Sequence, residues 1–189
     1  MLPDTNICTP RNKVHSIWFT EEMYYSRNPN ITGQAGTGYI IQKSAMIKIL
    51  GFERISDRVC KLRIKGIFYN ITLINTYAAT KDKEQNIKVQ SCNELQRTQD
   101  REPKHDVTIT LGDMNAKLGK EKLFSELIGR HTLHNISNEN GEMVADYGIS
   151  NDMLLISTNF QHKKIHTGKW ISPDHQTINE IDHAAVCKK

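Results

Sequence analysis

Residues Gly112-Asp113-Met114-Asn115-Ala116 follow directly on the apolar run Val107-Thr-Ile-Thr-Leu111. A strand that stops at Gly, then Asp, then Asn holds a carboxylate and an amide two residues apart at a rigid end, where both can point into one cleft. Asp113 offers a hard anionic oxygen suited to Mg²⁺ or to activating water. Asn115 offers an amide donor to a phosphoryl oxygen and a carbonyl acceptor to an attacking water. Metal-and-phosphate chemistry is one reading. The other is a strand running into an Asx turn, because Gly, Asp and Asn are ordinary turn formers.

Either reading needs a sheet around residues 107–111. Residues 58–65 and 67–77 read as two strands of a hairpin turning at Lys65-Gly66, the second apolar enough to be central. A shorter run at 38–43 follows Thr32-Gly-Gln-Ala-Gly-Thr-Gly38, whose glycines suggest a loop against a neighbouring backbone. The polar, proline-free stretch 81–99 carries Ile87, Cys92 and Leu95 and predicts a surface helix. Residues 119–137 read as loop, and Asn138-Glu-Asn-Gly141 supplies N-caps for a short helix over 143–147. Strands are predicted at 153–157, 168–172 and 180–186, and Glu21-Glu22 reads as a solvated turn. Strands and helices joined by successive hairpins indicate an α+β sandwich more than a parallel βαβ array.

A chain of 189 residues fits one domain with a proper core. The formal charge of +4 permits an anionic partner without demanding one. Cys8, Cys60, Cys92 and Cys187 are far apart, so neither a zinc knuckle nor a disulfide framework is indicated and a reduced intracellular protein fits best. The first eleven residues lack a basic segment followed by an apolar run, and no stretch has the apolar length to cross a bilayer. His131 with His134, and His162 with His166, mimic metal-ligand spacing, but no Cys or acidic partner completes a tetrahedral set.

Three further segments join the pentapeptide: Ile74-Asn-Thr-Tyr-Ala-Ala-Thr80, Lys169-Trp-Ile-Ser-Pro-Asp174 and Asn179-Glu-Ile-Asp-His183. In this order they resemble the later motifs of the endonuclease/exonuclease/phosphatase superfamily. Gly129-Arg-His-Thr-Leu-His134, Asn138-Glu-Asn-Gly141, Phe160-Gln-His-Lys-Lys-Ile-His166 and Trp170-Ile-Ser-Pro-Asp174 narrow the likeness. They resemble the endonuclease domain of RTE-type non-LTR retrotransposons, and the resemblance runs from about Tyr24 to Lys189.

The resemblance implies an α+β fold: a four-layer α/β sandwich (DNase I-like), two packed mixed β-sheets flanked by helices, truncated at both ends. Residues 1–23 would be a divergent segment and 24–189 a partial endonuclease/exonuclease/phosphatase domain. It implies hydrolysis of phosphodiesters with Mg²⁺ or Mn²⁺, DNA as partner, a nuclear setting, and neither a membrane nor a small-molecule cofactor. Asp113 then orients or deprotonates the attacking water, Asn115 and Tyr77 face the phosphoryl oxygens, and Asp182 holds a catalytic histidine. His183 is structural, because neighbours on a strand point to opposite faces. Lys163, Lys164, Lys169 and Arg130 are expected to line a DNA groove.

Departures from the family pattern shape the expected activity. Ala79 stands where the family has Pro, which loosens the loop after Tyr77. Residues 1–19 reproduce neither the family's catalytic Asn nor its Mg²⁺-binding Glu, and the sequence reaches Lys189 before a Ser-Asp-His motif. Asp113 is the nearest candidate metal ligand. Weak or no nuclease activity is therefore expected, the alternative being a catalytically dead module that binds nucleic acid or protein. Uncovered strand edges predict poor solubility.

Overall fold

Runs of β-branched and aliphatic residues build the sheets of this protein. The computed structural model describes residues 21–26, 36–80, 83–161, 170–171 and 178–188. Strands β1 (Glu21–Ser26) and β2 (Thr37–Gln42) form an antiparallel pair, followed by the one-turn helix α1 (Lys43–Met46). Next come β3 (Ile49–Arg54), β4 (Val59–Ile64), β5 (Ile71–Tyr77), helix α2 (Gln85–Asp100) and β6 (Val107–Asp113). Helix α3 (Glu139–Ser150), β7 (Met153–Leu155), the short pair β8 (Trp170–Ile171) and β9 (Ile178–Asn179), and β10 (Asp182–Cys187) complete the described chain.

Six strands form one mixed sheet in the order β3-β4-β5-β6-β10-β7. β5 and β6 run parallel with α2 as their crossover, and the other neighbouring pairs are antiparallel. Alternation sorts the side chains. Val59, Ile74, Ala185 and Leu155 face the helices and join Leu95, Ala145, Tyr147, Leu118 and Leu127 in the core. Each such aliphatic side chain contributes about 1.5–3 kcal/mol when fully buried. Two polar contacts on this face are closed rather than orphaned. The Thr110 and Tyr147 hydroxyls lie 2.8 Å apart, and the Arg63 guanidinium donates to both oxygens of Asp106 at 2.6 and 3.1 Å.

The opposite face of the sheet carries the β1–β2 hairpin. The Tyr39 hydroxyl donates to the Leu73 carbonyl at 2.8 Å, the Asn75 amide donates to the Gly38 carbonyl at 2.8 Å, and the Tyr24 and Phe52 rings meet at 5.4 Å. Helices, mixed sheet and hairpin therefore stack as layers of an α+β sandwich. Cys60, Cys92 and Cys187 are free, and burial pushes the Cys60 thiol up to about 12.

Several elements differ from their sequence expectation. The β4–β5 connection is not a tight turn at Lys65-Gly66: Ile64 pairs with Ile71, so residues 65–70 form the loop and Ile67 and Phe68 are solvent-facing at 93% and 91% exposure. Gly66 closes against the Tyr69 carbonyl where a Cβ would collide, which turns the chain before the apolar residues can pair. Glu21-Glu22 is strand, not a solvated turn, held by pairing with Gln42 and Ile41. α3 is longer than 143–147, β7 stops at Leu155 and passes into a 3-10 turn, and the strand predicted at 180–186 begins at Asp182.

Candidate active site

Backbone register brings three of the four candidate catalytic residues into one row. Tyr77 stands opposite Asp113 in the parallel pair, and Asp113 stands opposite Asp182 in the antiparallel one. Neighbouring strands are about 4.8 Å apart, so the row is about 10 Å long. By alternation all three lie on the sheet face turned away from the helices, at one end of their strands.

Gly112 makes this row possible. Its φ is +137°, and a Cβ there would sit 2.0 Å from the Thr76 carbonyl oxygen. Only glycine tolerates both the conformation and the approach. Beyond it, the Ala78 N–H donates to the Asp113 carbonyl at 2.8 Å and the Met114 N–H to the Ile181 carbonyl at 3.0 Å, which ties all three strand ends together. Asn115 adopts φ +47°, and its N–H donates to Asp113 Oδ1 at 3.0 Å. The pentapeptide is thus an Asx turn that engages Asp113 Oδ1. The Asn115 side-chain amide donates to the Ala78 carbonyl at 3.1 Å, so one of its two hydrogens already holds the loop after Tyr77.

Burial raises the Asp113 pKa above the ordinary carboxylate value, the Asn115 N–H works against that, and the Asp182 charge adds to it. The Arg58 guanidinium lies 5.2 Å over the Tyr77 ring in a cation–π contact and donates to the Tyr77 carbonyl at 3.3 Å. Asn138 and Asn140 reach the same loops from the start of α3: both side-chain amides donate to the Asn115 carbonyl at 3.2 Å, and Asn140 also donates to Ala79 at 2.9 Å. Sequence reading missed Arg58, and it read Asn138-Glu-Asn-Gly141 as helix caps and as part of the family likeness without placing it at the site.

His183 faces the helix side, away from Asp182. Its Nε2 lies 2.8 Å from the Ala116 carbonyl and so carries the proton, while Nδ1 meets the Ser157 hydroxyl at 3.1 Å. Burial lowers its pKa, keeping it neutral. His134 accepts from the Glu180 N–H at 3.3 Å. Arg130 is exposed in the loop bridged to β7 through Ile128 and Leu155, beyond the Asp113 row. Lys163, Lys164, Lys169, His162 and His166 lie outside the described residues.

Among the described residues, no group of three or more His, Cys, Asp or Glu side chains could hold a metal ion. Asp113 and Asp182 are nonetheless two hard carboxylates on facing strand positions whose mutual repulsion a cation would relieve. That donor set fits Mg²⁺ or Mn²⁺, which bind through one or two carboxylates and keep several waters, and does not fit zinc.

No family model matches the chain. Craniofacial development protein 2 of Tragulus javanicus is 29% identical over 175 residues, covering 93% of this chain and 29% of the relative. The Bos taurus protein of that name is 28% identical over 175 residues, with 93% and 28% covered. The chain thus spans under a third of the length of the curated relatives it matches. Among solved structures, the endonuclease domain of TRAS1, a telomere-specific non-LTR retrotransposon, superposes with a TM-score of 0.56 at 12% identity over 88% of this chain and 67% of that one. The AP endonuclease LMAP from Leishmania major gives 0.61 at 13% identity, over 89% and 62%. D. rerio TDP2 complexed with single strand DNA product gives 0.57 at 10% identity, over 89% and 62%. The architecture is the DNase I-like sandwich that the sequence motifs implied.

Proposed function

On the premise that the chain has the endonuclease/exonuclease/phosphatase fold, we propose that it is a phosphodiester-cleaving endonuclease domain of retrotransposon descent with an incomplete active site and weak activity at most, dependent on Mg²⁺ or Mn²⁺ and acting on DNA in the nucleus. The observation that carries this reading is the row Tyr77-Asp113-Asp182, with Asn115 seated beside it by an Asx turn. Asp113 would hold the divalent cation, which would supply Lewis-acid stabilisation of the phosphate, with the facing Asp182 carboxylate serving the cation here in place of the histidine that the sequence motif assigns to it. Asp113 Oδ2 accepts the proton of the attacking water, or orients it. The phenol of Tyr77 and the second amide hydrogen of Asn115 donate to phosphoryl oxygens as charge builds on them, from positions already fixed by the strand ends.

Slow nicking of supercoiled plasmid by purified protein in Mg²⁺ or Mn²⁺, abolished by EDTA, is the expected result. Asp113→Ala should lower the rate by about 10² or more, as losses of groups that act as a unit do. Nicking that survives Asp113→Ala would refute the assignment. The lack of a third metal-ligating side chain among the described residues favours a second reading, a module that binds nucleic acid without cutting it. DNA binding at low salt that persists in EDTA and in Asp113→Ala, with no cleavage in either metal, would establish that reading instead.

A further inference from the structure

Two loops carry the candidate site, one following Tyr77 and one following Asp113, and they leave the neighbouring parallel strands β5 and β6 where the pairing of Tyr77 with Asp113 ends. Within the pair the Asn115 amide already reaches the Ala78 carbonyl, and from outside it Asn140 of α3 bonds to both loops. The Asn140 amide nitrogen has two hydrogens; one is given to the Ala79 carbonyl at 2.9 Å and the other to the Asn115 carbonyl at 3.2 Å. Asn140 is only 6% exposed, so both bonds are shielded from water. Asn138 seats the bridge. Its Oδ1 accepts from the Gly141 N–H at 2.8 Å, capping α3, and from the Lys117 N–H at 2.9 Å, anchoring that helix end to the loop after Asp113. Gly141 lets the two backbones meet, since a Cβ there would lie 2.0 Å from the Lys117 carbonyl oxygen. The first turn of α3 is thus pressed onto the site's two loops and linked to them by side-chain amides.

We propose that Asn140 is a positioning residue that sets the spacing between the Tyr77 loop and the Asp113–Asn115 loop, and with it the width of the seat for one phosphodiester. The role deepens the endonuclease reading above and rests on it. It also explains how the loop after Tyr77 is held at Ala79, where a proline's rigidity is lacking: the Ala79 carbonyl is tied down by Asn140 and the Ala78 carbonyl by Asn115.

Asn140→Asp separates this role from folding. The shape is kept, and a carboxylate in the first turn of a helix is favourable to the helix dipole, so α3 is not weakened. Both donations are lost, and at neutral pH a charge faces two carbonyl oxygens. Expected in the intact chain is a kcat for plasmid nicking lowered roughly 10- to 100-fold, as for a misplacement near 1 Å, with KM changed by less than about threefold. Amide hydrogen exchange should quicken at Ala78 and Asn115 while Leu62 and Ile74 in the sheet keep their protection. Ala145→Gly, a buried change in α3 remote from the loops, is the control: it should lower protection across the sheet and leave the kcat-to-KM pattern alone. Exchange that rises uniformly in Asn140→Asp, or nicking and exchange both equal to the parent protein, overturns the proposal. If the parent protein does not nick DNA, the endonuclease reading fails, and the local exchange pattern by itself decides whether Asn140 joins the two loops.

Discussion

Asp113 is held where a carboxylate is both useful and costly. Its pKa is raised, chiefly by burial, while an unfolded chain titrates it at the ordinary carboxylate value. The native state therefore binds more protons than the unfolded one between those two values, and stability falls as pH rises through that window. Above the folded value the penalty is complete. Asp113→Asn should raise the melting temperature at neutral pH, because an amide oxygen can still accept the Asn115 N–H, and the gain should vanish below the ordinary carboxylate value. Thermal melts of both proteins from acid to neutral pH check this. Asp106 has the opposite sign: the Arg63 hydrogen bonds hold its carboxyl below the usual range, and that stability is lost as pH falls through the lowered value. Gly112→Ala should destabilise the strand end outright, as φ +137° and a 2.0 Å contact leave no room. The placing of Tyr77 and Asp113 at strand ends was legible because apolar alternation runs up to each. The Asn140 bridge was not, because its acceptors are the carbonyls of Ala79 and Asn115, which have no signature in a sequence.

Helix α3 shows what an element can hide. Asn138 was readable as a cap, and Asn138→Ala should cost at least about 1 kcal/mol, the usual worth of an N-cap, measured as a shift in urea midpoint. Its bonds to Lys117 and Asn115 bring the loop down with it, so the loss should exceed that of a simple cap. Strands were read well where apolar alternation is strong, as in β5 and β6, and badly where pairing alone makes them. β3 carries Gly51 at a register shift and β1 opens on two glutamates; neither reads as strand without its partner. Ile67-Phe-Tyr69 failed in the reverse sense. Its composition is that of a strand, yet Gly66 turns the chain and the register starts at Ile71, leaving apolar side chains in solvent.

At the scale of the whole molecule, exposed Ile67 and Phe68, on the loop that Lys65 joins to Lys48 beside exposed Ile47, predict self-association. Phe68→Ser should leave the melting temperature nearly unchanged, since a side chain 91% exposed contributes little to packing, and should reduce light scattering at high concentration. The sheet order carries a consequence of another kind. β10, the last strand described, lies between β6 and β7. A ribosome delivers β6 and β7 before it delivers Asp182 to Cys187, so during synthesis, among the described strands, β6 has an open edge beside Asp113 and β7 has no partner in the sheet. Among the described strands β10 is the keystone, later in the chain than both of its neighbours. Until it arrives, the nascent chain offers a strand-shaped gap that another chain's strand could fill, and the row of site residues cannot exist before that gap is closed from within.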